Sequence, residues 1–226
     1  MPHGKKYQKV SALIDPKKSY SLEEAVKLLK QTATTKFDSS VELHARLGID
    51  PAKGDQQVRG NISLPHGTGK EKRVAAFVEG EKVKEAKDAG ADLIGGAELV
   101  DEIKKSGKCD FDVAVATPDM MKILSGVARV LGPKGLMPNP KNDTVTTQIG
   151  KIVSELKKGK VSFKNDDTGN VHQLVGKISW DEAKLKENVQ AMVDIITKAK
   201  PSSSKGVYMQ KVVLTTTMGP GIRVAF

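Results

Sequence analysis

In the stretch KFDSSVELHARLGID, residues 36–50, the side chains able to do chemistry recur at every second position: Ser40, Glu42, His44 and Arg46. In an extended chain such residues share one face. A hydroxyl, a carboxylate, an imidazole and a guanidinium would therefore stand in a row, with Lys36 and Phe37 leading into it. Glu42 and His44 are placed to pair as acid and base, but no nucleophile is evident beside them. A second stretch, VVLTTTMGPGIRVAF at 212–226, carries no obvious acid, base or metal ligand. It sets three threonines, one methionine and a Gly-Pro-Gly between a strand-like apolar run and IRV.

Signatures of catalysis are missing. There is no G-x-G-x-x-G and no G-x-x-x-x-G-K-[ST] pattern. Ser125-Gly126 is not a nucleophile elbow, and Thr117–Asp119 reads as the turn into a helix. Cys109 is the only cysteine, so no disulfide forms within the chain. His3, His44, His66 and His172 are scattered and no CxxC accompanies them, so no zinc and no cofactor is expected. The loop GPKGLMPNPK, 132–141, is made stiff by two glycines and three prolines. It displays Lys134 and Lys141 around Gly132 and Gly135. It reads equally as a phosphate-contacting or hinge loop and as a rigid connection.

These residues need elements to hold them. YSLEEAVKLLKQTA opens with a capping box, Ser21 with Glu24, and repeats apolar residues at helical spacing. From Val41 to Ile49 alternation predicts a strand with one buried and one polar face, and VRGNISLPHG returns as a second strand. From about Gly67 the texture changes. Short apolar strands (KRVAAFVEG, ADLIGG, FDVAVATPD) alternate with amphipathic helices, the pattern of βαβ units around a parallel sheet. From about Gly159 the first style returns. KVSFKNDDTGNVHQLVGKIS reads as a hairpin, and a second capping box, Ser179 with Glu182, precedes a long helix. VYMQKVVLTTTMGPGIRVAF reads as one last strand with a bulged end, Gly219 and Gly221 supplying unusual backbone angles.

The expected fold class is therefore α/β: an α+β split domain, 1–66 with 159–226, carrying an inserted Rossmann-like βαβ domain, 67–158. The two chain crossings would form a two-strand hinge. The whole chain of 226 residues has a net charge of +10, which points to a polyanion partner. Residues 67–158 hold 16 basic and 14 acidic residues, whereas the outer segments hold 21 and 13. The polyanion-binding face is thus expected on the outer domain. Aromatics at 4% argue against an aromatic-rich base-stacking platform, although Phe37 could stack on a base or ribose as readily as anchor a core. No apolar run reaches membrane-spanning length and the basic N-terminus lacks a signal-peptide core, so a cytoplasmic protein without a membrane partner is expected.

Taken together, KFDSSVELHARLGIDP, VRGNISLPHGTGK, ATPDMM, ARVLGPKGLMPNPK, FKNDDTGNVHQLVGK and LTTTMGPGIRV resemble the bacterial large-subunit ribosomal protein L1 (uL1) family, the ribosomal stalk protein, nearly end to end. The resemblance implies a ferredoxin-like first domain that binds a kinked junction in 23S rRNA, and a Rossmann-like second domain. It implies partners in the large ribosomal subunit, exit-site tRNA and the chain's own operon mRNA, which it represses, and a monomer when free. By motif it carries RNA contact onto Lys36, Phe37, Ser40, Glu42, Thr217, Met218 and Gly219, with Lys164 added from the hairpin. At position 40 a serine keeps the hydroxyl that a threonine also supplies. A different class of function remains as the alternative: a βαβ enzyme acting on a phosphorylated small molecule, with 132–141 as its anion loop.

Overall fold

Every second residue of the strand Ser40–Leu47 is buried, and this single alternation organises the first half of the fold. The computed structural model describes residues 4–226, apart from the side chain of Lys141. The chain opens with helix α1 (Lys5–Ser11) and helix α2 (Leu22–Thr32), followed by β1 (Ser40–Leu47) and β2 (Arg59–Ser63). The capping box of α2 is formed: Ser21 Oγ accepts from Glu24 N at 3.3 Å, and Glu24 Oε2 accepts from Ser21 N at 3.2 Å. These bonds satisfy two orphan donors of the helix start.

A second unit follows: β3 (Val74–Phe77), α3 (Lys82–Asp88), β4 (Leu93–Gly95), α4 (Ala97–Ser106), β5 (Val113–Ala116), α5 (Met120–Leu124), α6 (Ala128–Leu131) and α7 (Ile149–Lys157). Its sheet has the order β4-β3-β5 and is parallel. Both faces are covered. Ala75 and Phe77 join the cluster with Val100, Met120, Leu124 and Leu131, while Val74, Ala76 and Val78 join Ala86, Ile149 and Val153. A strand buried on both faces has no polar alternation to show, which is why these strands are short continuous apolar runs.

The chain then returns through β6 (Lys160–Lys164), β7 (Asn170–Lys177), α8 (Glu182–Lys198), β8 (Met209–Thr216) and β9 (Ile222–Val224). The compact units change over at 69/70 and 160/161. In the outer unit, β7-β1-β8-β9 form an antiparallel sheet, and β2 pairs with β6 in a sheet of two strands. Helices α2 and α8 contribute Ala25, Val26 and Leu29, and Leu185, Val189, Met192 and Ile196, to the core that also holds Val41, Leu43, Ala45 and Leu47.

Three local expectations are corrected. Helix α8 starts at Glu182 with Asp181 as its N-cap, so Glu182 stands in the first helical position and not the third, where a capping box needs it. The Ser179 hydroxyl instead donates to Asp38 Oδ2 at 2.9 Å. The expected hairpin of β6 and β7 is a turn between strands of different sheets, with an Asn165–Val171 bridge and a 2.8 Å bond from Asp166 N to Asn170 O across it. That turn is built on Asp166, whose carboxylate accepts from Asn170 N at 2.7 Å and Thr168 N at 2.9 Å. The Asn170 amide foremost, then the Thr168 hydroxyl, hold this carboxyl well below the usual range. Finally, the last strand is two strands, β8 and β9, folded back on each other.

One buried polar side chain locks the outer unit. Asn188 on α8 is fully buried; its Oδ1 accepts from His66 N at 3.1 Å, and its Nδ2 donates to Gly67 O at 2.9 Å and Val175 O at 2.8 Å. Replacing Asn188 with alanine leaves three backbone groups without these partners. Urea unfolding should then show a loss of about 3 kcal/mol.

Candidate nucleic-acid interface

With both helices on one face of the four-stranded sheet, the polar side chains of β1 stand on the other. Cross-strand register fixes their neighbours: Ser40 lies beside Lys177, Glu42 beside Leu174 and Thr215, His44 beside His172 and Val213, and Arg46 beside Asn170 and Lys211. At the Ser40 end two chain segments are stitched together. Thr217 N donates to Ser40 O at 3.0 Å, and Ser40 N donates to Thr217 Oγ1 at 3.1 Å. The proton of Thr217 Oγ1 makes only a long 3.5 Å approach to Ser40 O, so it is open to an outside acceptor. Lys177 Nζ donates to Ser40 Oγ at 3.1 Å, placing a cation within the cluster.

Thr216 to Gly219 form a tight turn closed by a 2.8 Å bond from Gly219 N to Thr216 O. Met218 is its third residue and has φ +67°. That is the left-handed region, which turns normally fill with glycine or asparagine. Contrary to the expectation for this stretch, neither Gly219 nor Gly221 has positive φ. Their requirement is steric. A Cβ on Gly219 would run into Thr216 Oγ1, and one on Gly221 would lie 2.9 Å from Val213 Cγ1. A bulky residue at Gly219 therefore perturbs the turn itself.

Met218 is 77% exposed and Phe37 is 59% exposed. Phe37 is thus no core anchor. Two large apolar side chains held in water, one of them in a strained conformation, mark a contact surface more than a packing site. Between them runs an open groove of about 870 Å³, lined by Lys5, Lys6, Tyr7, Thr34, Thr35, Phe37, Met218 and Gly219. The floor is apolar and α1 supplies the cations.

In the middle of the sheet His44 Nδ1 lies 2.7 Å from His172 Nδ1, so one ring donates and the other accepts. Burial lowers the pKa of His44, the neighbouring His172 lowers it further, and Glu42, 3.7 Å from His44 Nε2, opposes both. Among the described residues no cluster of three metal-ligating side chains occurs.

The Ribosomal protein L1p/L10e family matches residues 29–220. The large ribosomal subunit protein uL1 of Fervidobacterium nodosum is 53% identical over 222 residues, covering 98% of this chain and 94% of that protein. The protein of the same name from Macrococcus caseolyticus is 54% identical over 221 residues, covering 98% and 95%. The chain belongs to the ribosomal protein L1p/L10e family. That family is one of ribosomal proteins and not of enzymes, which sets aside the phosphorylated-substrate alternative.

Seven of the eight residues singled out for RNA contact fall in one region. Ser40, Glu42 and Thr217 lie on or beside the open sheet face, and Lys36, Phe37, Met218 and Gly219 lie in the segments at its end. Lys164 is exposed on β6, in the two-stranded sheet. The loop 132–141 lies inside the inserted unit, away in sequence from both crossings. Lys134 Nζ donates to Gly107 O at 3.0 Å, closing the end of α4, and Leu136 and Met137 pack on the core. A Cβ on Gly132 would sit 2.8 Å from Ala128 O, and Gly135 has φ +68°. Lys141 lies in a short turn of 3₁₀ helix, with its side chain outside what the structure describes. Sequence reasoning missed Lys5, Lys6 and Lys177. The basic run GKKYQK was the one visible signal for Lys5 and Lys6, and Lys177 had none.

Two expectations follow from these strains and shifts. Met218→Gly should raise stability by about 1 kcal/mol in thermal unfolding, since glycine adopts positive φ without cost. For His44, a folded-state pKa below the unfolded value means that the unfolded chain binds the extra proton. The resulting destabilisation is absent above about pH 6.5 and grows as pH falls below it. Urea unfolding compared at about pH 7.5 and about pH 5.5 should show a smaller acid loss in His44→Gln than in the parent chain.

Proposed function

We propose that this chain is a large-subunit ribosomal protein whose outer unit binds a folded junction of 23S rRNA. The observation that carries the reading is the exposed, strained Met218 facing exposed Phe37 across a groove rimmed by Lys5 and Lys6. Such a groove suits an unstacked base or a ribose, with lysines supplying affinity through phosphates. Ser40 and Thr217 offer hydroxyls able to bond 2′-OH groups, which distinguish RNA from DNA. Family membership and relatives named as large-subunit proteins support the same reading. The inserted unit, near neutral in charge, has a separate task in it. The family resemblance extends the proposal to the mobile stalk: movement with deacylated tRNA leaving the exit site, and repression of the chain's own operon mRNA through a site that mimics the ribosomal one. The protein would be ribosome-bound in the cytoplasm, and a monomer when free.

Glu42 gives the sharpest test. A carboxylate facing a polyanion costs affinity unless it accepts a hydrogen bond from a ribose hydroxyl or a base amine, so its task is discrimination. In filter binding with a stalk-junction fragment of 23S rRNA, Glu42→Ala should shrink the ratio of specific to non-specific affinity roughly tenfold, with little change in salt slope. Met218→Gly, a variant expected to be more stable, should lose specific affinity to a similar degree. Unchanged binding in both variants would remove this cluster from the RNA interface.

A further inference from the structure

At the end of the sheet face opposite the Met218 turn lies a second open pocket, of about 600 Å³, which the site above does not use. It is walled by the exit of β1 and by the segment joining α8 to β8. The two walls meet closely: a Cβ on Gly48 would collide with the Val207 carbonyl, and Ser204 Oγ donates to Gly48 O at 3.0 Å. Arg46, Lys53 and Lys205 line the pocket with Asp50 as its single acid, and Asp50 already pairs with Lys53 at 3.5 Å. Among the described residues Arg46 and Lys205 make no ion pair and no side-chain hydrogen bond, and both are exposed. Ser203, also in the lining, has its Oγ buried without a partner. Lys211 stands directly across from Arg46 on β8.

We infer that this pocket is a phosphodiester clamp for the same RNA, which makes the whole length of the open sheet face a single footprint. The inference rests on the RNA-binding reading and extends it to a second set of residues. Unpaired cations round a polar recess with an orphan hydroxyl match a phosphate, which takes charge from the guanidinium and ammonium and hydrogen bonds from neutral donors. Arg46 lies six residues along β1 from Ser40, so the clamp and the Ser40–Thr217 cluster are roughly 20 Å apart on one strand face. That span lets one RNA occupy both. Since phosphate contacts carry no sequence information, the clamp contributes affinity and register, and the distant cluster contributes selectivity.

The test is filter binding of the stalk-junction RNA across a salt series, with Arg46→Gln/Lys205→Gln beside Glu42→Ala and the parent chain. Both changed side chains are exposed, and circular dichroism melts will confirm that the fold is retained. The double variant should reduce the slope of log K against log salt by about 1.5 and weaken binding at least tenfold at moderate salt, with the specific-to-non-specific ratio intact. An unchanged slope in the double variant, alongside an altered ratio in Glu42→Ala, overturns the clamp and leaves the RNA reading standing. A change in ratio instead of slope overturns it as well, because the pocket would then be reading the RNA and not holding its backbone. Failure of the parent chain to prefer the junction over unrelated RNA overturns both readings together.

Discussion

The register of β1 between β7 and β8 is the constraint on which the outer unit depends. Because side chains alternate with period two, a slip of one residue would move Val41, Leu43, Ala45 and Leu47 from the core to water and bury Glu42, His44 and Arg46. The helices enforce one choice, since Leu29 of α2 and Leu185, Val189 and Met192 of α8 need an apolar sheet face to pack on. The reciprocal Ser40–Thr217 bonds pin the register at one end, and the Gly48 N to Tyr208 O bond, 2.7 Å, pins it at the other. The polar row on the open face is therefore a consequence of core packing. Its spacing cannot drift without unfolding the unit.

What the sequence made legible follows from the same physics. Alternation in β1 and continuous apolar runs in β3 and β5 are imposed by burial on one face or on both, so they are written into the residues themselves. The Ser21–Glu24 capping box is equally local. Two of the misreadings are questions of partner choice. Ser179 has the spacing of a cap, but Asp38, far away in sequence, takes its hydroxyl. The Asp166 turn is a good turn by composition, yet nothing in KVSFK says that β6 pairs with β2 and not with β7. Seven of the proposed contacts gather at one end of the sheet, but that grouping came from family resemblance. Residue spacing alone gave no reason to bring Phe37 to Met218, almost two hundred residues later.

The turn at Thr216 to Gly219 shows how local rules can fail. Glycine is the residue that tolerates positive φ, and two glycines stand within three positions, yet the chain puts methionine at φ +67°. Both glycines are used up by close contacts with Thr216 and Val213. The remaining position carries a large apolar side chain that is mostly in water. Neither backbone strain nor exposure helps the fold. A side chain kept at that joint cost to stability is kept for what it touches.

The electrical pattern of the open face follows from the imidazole pair at its centre. Two Nδ1 atoms at 2.7 Å need one proton between them; if both rings were fully protonated, two donors would face each other. Burial and the second ring both resist protonation of His44, and Glu42 beside it compensates any charge that does arrive. The imidazole pair is thus held close to neutral by geometry, while cations stand at both ends: Lys5, Lys6 and Lys177 near the Met218 turn, and Arg46 and Lys211 at the far end. A polyanion laid along this face would be drawn to the two ends. Between them lie the Glu42 carboxylate and the two imidazoles, which offer hydrogen bonds and no fixed positive charge. The strand's two-residue period keeps all these groups on one face and the core residues on the other.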